Sequence, residues 1–127
     1  MNTINEKRKK VLIVEDMIQE RDRIINFIKD KYEVGYAENG LAALEILKKD
    51  MPDVIILDLE MPVMGGIEFL KKCSESFPSV PKTLILTTKN DYSSRKETKE
   101  EGAEFYMPKP VDESKLLMVL ELMLSKK

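Results

Sequence analysis

Polar side chains stand at the ends of the apolar runs of this chain, and their types belong to phosphoryl chemistry. Glu15 and Asp16 close the run Val11 to Val14, Asp58 closes Val54 to Leu57, Thr87 closes the run that begins at Thr83, and Lys109 follows the segment Ala103 to Met107. Carboxylates gathered in one pocket repel and raise one another's pKa unless a cation sits among them. Oxygen-only ligands with room for water suit Mg²⁺. A lysine supplies a point charge and a threonine hydroxyl a hydrogen-bond donor for a phosphoryl group. A carboxylate nucleophile, a divalent cation, a lysine and a threonine together make a site for forming an aspartyl phosphate. Singly, each residue has a plainer reading: Glu15-Asp16 as a loop and helix cap, Asp58 as a turn residue, Thr87 as a strand end, Lys109 as a solvated base. Their joint placement argues for chemistry.

Such placement requires elements that end together. The unbroken apolar runs Val11–Val14 and Val54–Leu57, and the nearly apolar Thr83–Thr87, predict strands covered on both faces, as in a parallel sheet flanked by helices. Tyr32 to Ala37 nearly alternates polar and apolar residues and reads as an edge strand; Ala103 to Met107, broken by Pro108-Lys109-Pro110, reads as another. Helical periodicity runs through Ile18, Ile25 and Ile28, widened by Ile24 and Phe27, and through Leu41, Leu44 and Leu47 after Asn39-Gly40. A third helix is predicted from about Gly66 to Phe77, with Cys73 as a core residue. The polar segment Asp91 to Glu101, closed by Gly102, gives a fourth, and Asp112 caps a fifth running to about Leu124. Five strands alternating with five helices imply right-handed crossovers and an α/β doubly wound parallel sheet in the order 2-1-3-4-5. Ligands bind such sheets outside the strands' carboxyl ends, at the switch point, here Glu15, Asp16 and Asp58.

Composition bounds the rest. The 127 residues make one domain, residues 10–127, behind a polar lead-in, residues 1–9, that includes most of Lys7-Arg8-Lys9-Lys10. A formal charge of -2 with interspersed signs argues against nucleic acid as a partner. No apolar run approaches the roughly 20 residues of a membrane span, and Met1 to Lys10 is too polar for a secretory signal. Cys73 is alone, so no internal disulfide forms, and a cytoplasmic location is expected. The chain has no histidine, which excludes a histidine-based triad, histidine metal ligands and a phosphohistidine of its own.

The motifs Val14-Glu15-Asp16, Leu57-Asp58-x-x-Met61-Pro62-x-Met64-x-Gly66, Leu86-Thr87 and Tyr106-x-x-Lys109-Pro110 resemble the receiver domain of bacterial two-component response regulators, over about Lys10 to Leu124. The resemblance implies a flavodoxin-like fold with Asp58 as phosphoacceptor, charged by the phosphohistidine of a sensor histidine kinase or histidine phosphotransfer protein. It implies Mg²⁺ held by Glu15, Asp16, Asp58 and the backbone carbonyl of Glu60. Lys109 and the backbone N–H of Thr88 would face the phosphate. Thr87 would move toward it and draw Tyr106 inward, and the Lys109-Pro110 bond would be cis. It implies no enzyme beyond self-phosphorylation and self-dephosphorylation. Glu15 stands where Asp is commoner, Thr88 where Ala or Gly is, and Val111 where an aromatic is; Pro108 stiffens Lys109.

A degenerate receiver serving as a scaffold is one alternative. A haloacid dehalogenase-type phosphatase is another, but that family places its nucleophile after the first strand with a second Asp two residues on, where this chain has Glu60 after its third strand. A stand-alone regulator and the receiver of a longer protein both fit the sequence. Glu60 and Lys89, on loops expected to flank the phosphate, are expected to bridge its mouth, with Thr88 narrowing access to water. The fourth helix has only Tyr92 as a large apolar residue, while the last has more apolar residues than one stripe needs. Met118 and Leu122 are therefore expected to be exposed. The face formed by the fourth helix, fifth strand and fifth helix is expected to receive a protein target or a second copy.

Overall fold

The computed structural model describes residues 8–88 and 92–125, without the side chains of residues 92–94. Five strands and five helices alternate: β1 (Lys10–Val14), α1 (Ile18–Ile28), β2 (Glu33–Ala37), α2 (Gly40–Lys49), β3 (Val54–Asp58), α3 (Gly66–Ser76), β4 (Lys82–Thr87), α4 (Tyr92–Glu100), β5 (Phe105–Pro108) and α5 (Glu113–Leu124). All strand pairs are parallel, in the order β2-β1-β3-β4-β5. The sequence-based order therefore holds, with β2 and β5 at the edges. β3 is buried at every residue, because strands flank it and helices cover both faces.

Strand alternation splits the core into two layers. Leu12, Val14, Ile55, Leu57 and Ile85 meet Leu44, Leu47, Phe69, Leu70 and Cys73 of α2 and α3. Val11, Ile13, Val54, Ile56, Leu84 and Leu86 meet Ile24, Ile28, Leu116, Leu120 and Met123 of α1 and α5. Each fully buried aliphatic side chain contributes about 1.5–3 kcal/mol by leaving water, so this doubly covered sheet is held firmly by its packing.

The helix ends follow their sequence signals. Asn39 caps α2 by accepting from Ala42 N at 2.8 Å, and Asp112 caps α5 by accepting from Lys115 N at 2.9 Å. Gly102, at φ +105°, ends α4: its N–H reaches Lys99 O at 2.9 Å, and Ala103 N reaches Thr98 O at 3.0 Å. That bond pair is the Schellman arrangement, and its left-handed position suits glycine.

Several boundaries and faces differ from the sequence reading. β5 starts at Phe105 rather than Ala103 and extends to Pro108. An edge strand tolerates a terminal proline because the missing N–H would pair with nothing. Tyr32 precedes β2, and Phe77 caps α3 instead of extending it. Ile18 and Leu41, assigned to apolar stripes, are 61% and 49% exposed. Both lie in the first turn of their helices, beyond the end of the sheet they would have to pack on. Of the lead-in, residues 1–7 with Lys7 lie outside the described residues, as do Lys89 and Asp91.

Candidate functional site

The strand register brings the polar ends to one edge. Val14 pairs with both Ala37 and Leu57, Asp58 with Leu86, and Thr87 with Pro108. Glu15, Asp16, Asp58, Thr87 and Lys109 thus leave the sheet at nearly one level. Glu15 N donates to Ala37 O at 3.0 Å and Lys109 N to Thr87 O at 3.1 Å, which ties both loops to neighbouring strands. Arg23 of α1 adds a brace by donating from Nη2 to Val111 O at 2.8 Å.

Carboxylate oxygens of Glu15, Asp16 and Asp58 lie within 4.8 Å of one another. Lys109 Nζ sits between two of these groups, 3.1 Å from Glu15 Oε1 and 3.3 Å from Asp58 Oδ2. Met17 N donates to Glu15 Oε2 at 3.2 Å, and Glu60 N lies 3.4 Å from Asp58 Oδ1. Glu15 is fully buried and Asp58 nearly so, while Asp16 is half-buried. Burial pushes the Glu15 carboxyl above its ordinary range, and the Asp58 charge pushes it further; Lys109 opposes both. Burial likewise raises Asp58 against the pull of Lys109 and the Glu60 N–H. At Lys109 burial favours loss of the proton, but Glu15 and Asp58 outweigh it and hold the ammonium above its ordinary value.

The donor set fits a hard cation. Among the described residues, Glu15 Oε1 makes the ion pair with Lys109 but accepts no well-directed hydrogen bond, so a buried acceptor remains to be satisfied. All ligand atoms are oxygens, which suits Mg²⁺ or another hard divalent ion. Beside the carboxylates, a cleft of about 250 Å³ is lined by Met17, Glu20, Thr88, Lys109 and Pro110. Lys109 of the acidic cluster thus faces a space open to solvent beside Thr88, which is exposed.

The loop after Asp58 is built tightly. Gly66 lies where a Cβ would come within 2.8 Å of Asp58 O and 2.9 Å of Leu59 Cα, so no larger residue fits without moving the end of β3. Val63 has φ +68°, and Met64 N donates to Pro62 O at 2.7 Å. This is a γ-turn around a β-branched residue at positive φ, a strained arrangement. Met64 O in turn accepts from Gly40 N at 3.1 Å and fastens the loop to α2. Sequence reading took Pro62, Gly65 and Gly66 as loop residues but had no signal for Val63, since β-branched residues rank last for that conformation.

Lys109-Pro110 is cis, as expected. Tyr106, the expected switch residue, lies half-buried on β5 opposite Ile85. Thr87 is two residues beyond Ile85 and so shares its face of the sheet with Tyr106. The Tyr106 hydroxyl points to α4, donating toward Arg95 O at 3.0 Å and Ala103 O at 3.3 Å. Met118 and Leu122 are exposed on α5, at 63% and 65%. Cys73 is buried in the core, and burial pushes its thiol up to about 12, which leaves it unreactive. No helix among the described residues is long and apolar enough to cross a membrane. Lys89, and with it the expected bridge to Glu60, lies outside the described residues.

A family model described as the response regulator receiver domain matches residues 11–121. Sporulation initiation phosphotransferase F of Bacillus subtilis (strain 168) is 36% identical over 104 residues, covering 81% of this chain and 83% of that protein. Protein PilH of Pseudomonas aeruginosa is 30% identical over 118 residues, covering 91% of this chain and 98% of that protein. Among solved structures, the chemotaxis protein CheY4 of Vibrio cholerae superposes with a TM-score of 0.86 at 37% identity, covering 92% of this chain and 99% of that one.

Proposed function

Since this chain belongs to the response regulator receiver domain family, a family of signalling proteins, we propose that it accepts a phosphoryl group on Asp58 from the phosphohistidine of a sensor histidine kinase or phosphotransfer protein. The observation that carries this reading is the position of Lys109 Nζ, within 3.3 Å of Asp58 and 3.1 Å of Glu15 at the carboxyl edge of the sheet. An Asp58 oxygen attacks phosphorus, the P–N bond breaks, and the imidazole leaves with its electron pair. The donor histidine must come from the partner, because this chain has none. Lys109 meets the incoming negative charge, and Thr87 and the backbone N–H of Thr88 donate to the phosphoryl oxygens. Glu15, Asp16, Asp58 and the Glu60 carbonyl would hold Mg²⁺, which supplies positive charge to offset that of the carboxylates and the phosphoryl group. Water attacking the same phosphorus returns Asp58 as carboxylate and releases phosphate.

The signal then passes from Thr87 to Tyr106 on the shared sheet face, and from there to the α4–β5–α5 surface. The exposed Met118 and Leu122 make that surface suitable for a protein target or a second copy. The domain occupies residues 10–127 and works in the cytoplasm, without nucleic acid or membrane as a ligand.

Incubation with acetyl phosphate and Mg²⁺, followed by intact-mass measurement, tests the reading. One added phosphate that disappears in Asp58→Asn is expected. Phosphate that persists in the variant would move the acceptor elsewhere. No uptake by wild type would favour a scaffold, and multiple turnovers on a phosphate ester would favour a phosphatase. Retention of every group that the phosphoryl chemistry uses weighs against the scaffold.

A further inference from the structure

Helix α4 is anchored differently from the other helices. From Arg95 to Glu100 every side chain is exposed except Thr98, which is fully buried. A wholly buried polar residue among exposed helical neighbours needs a partner. Thr98 Oγ1 lies 3.0 Å from the Tyr106 hydroxyl and donates toward Arg95 O at 3.1 Å. The same tyrosine hydroxyl reaches Arg95 O and Ala103 O, and the Arg95 guanidinium lies 5.2 Å from the centre of its ring. Two hydroxyl protons and two carbonyl acceptors meet there, so both hydroxyls can be satisfied at once. The Thr98 carbonyl also accepts from Ala103 N in the turn that ends α4. The residue therefore joins the helix, its closing turn and the tyrosine ring at one point.

We propose that Thr98 is a positioning residue that holds the Tyr106 hydroxyl against α4 in the unliganded domain and so sets how readily this domain switches. The proposal rests on the phosphorylation reading above for what the switch responds to, but the latch itself stands on the unliganded geometry. Movement of the Tyr106 ring away from α4 breaks its contact with Thr98. The same movement takes a hydrogen-bond partner from the buried Thr98 hydroxyl, so α4 loosens as the tyrosine turns. Position 98 would thereby tune the resting equilibrium without touching the phosphoryl site.

Thr98→Val keeps the shape and removes the hydroxyl, and Thr98→Ser keeps the hydroxyl. The loss of one net hydrogen bond is expected to shift the equilibrium about two- to tenfold. Thr98→Val should therefore bind beryllofluoride with Mg²⁺ about two- to tenfold more tightly than wild type. In the unliganded protein, its α4 amides should exchange hydrogen faster by a similar factor, and Thr98→Ser should restore both readouts. Tyr106→Phe removes the other half of the contact and should speed α4 exchange alike, which keeps the test available if Thr98→Val does not fold. Wild-type exchange and affinity in Thr98→Val, or equal perturbation by Val and Ser, would overturn the latch. Failure of wild type to bind beryllofluoride would instead overturn the phosphoacceptor reading, while the unliganded exchange comparison would still decide the latch.

Discussion

The carboxyl ends of β1 and β3 and the α4–β5 surface lie on the same sheet but are held in opposite ways. Around Asp58 the backbone is fixed by a fully buried strand, by Gly66 pressed against the Asp58 carbonyl and by loops hydrogen-bonded to their neighbours. Around Tyr106, helix α4 has one wholly buried side chain among those described, and it is a hydroxyl. The first region keeps charged groups at fixed separations in spite of their repulsion. The second can change partners at the cost of a few hydrogen bonds. Site chemistry needs preorganisation, whereas a switch needs two arrangements of similar free energy. In the function proposed for this chain the two requirements fall on different strands of one sheet.

The contrast breaks most visibly at Asp58. Asp58→Asn is expected to abolish phosphate uptake while leaving the fold intact. Uptake at the wild-type rate, read by intact mass, would remove the phosphoacceptor region from the comparison altogether. Packing gives the next largest effect. Leu116→Ala, in the core beneath the sheet, should cost about 2–5 kcal/mol, whereas Leu122→Ala, on the exposed face, should stay within about 0.5 kcal/mol. Urea unfolding measures both. Equal losses would mean that the α5 surface is not free for a partner.

The stiff region should also reveal its crowded charge. Asp16→Ala should sharply weaken Mg²⁺ binding in a titration followed by calorimetry; unchanged affinity would place the metal elsewhere. Without metal, the Glu15 and Asp58 carboxyls both sit above their ordinary values of 4.5 and 3.8. The folded chain therefore holds these protons more tightly than the unfolded chain. Their contribution is most favourable where the folded carboxyls are still protonated and declines as pH rises through the folded values. Lys109 has the same sign in a higher range, since its raised pKa contributes stability below its ordinary 10.5 that is lost as pH rises through the folded value. In chelator, wild type should lose more stability than Asp58→Asn as pH rises from the ordinary carboxylate values of 4.5 and 3.8 through the raised folded ones. Parallel urea midpoints for the two proteins would count against a strained acidic cluster.

The smallest expected effect lies at the mouth of the site. Thr88 is exposed and lines the cleft beside Lys109. Thr88→Ala should open the path for water and speed dephosphorylation by a few-fold, on the order of 1 kcal/mol in barrier. A decay of phosphorylated protein that is unchanged or slower would assign the gate to another residue.

The sequence alone determined the strand order, the two edges and the meeting of Glu15, Asp16, Asp58, Thr87 and Lys109. Those features rest on unbroken apolar runs and on residues at their ends, and a doubly buried parallel strand leaves little freedom in how such a pattern is placed. The caps at Gly102 and Asp112 were legible for a similar reason, since a cap satisfies backbone groups within its own turn. Tertiary structure alone decided which helical positions are covered. Ile18 and Leu41 fit an apolar stripe but extend past the sheet that would bury them. It also decided the strained turn at Val63, where closing the loop onto Gly40 and Gly66 outweighs the intrinsic preference of a β-branched residue. Thr98 reads in sequence as one more polar residue on a polar helix. Only packing against β5 makes it the buried partner of Tyr106, because burial of a single side chain depends on what another element brings to it.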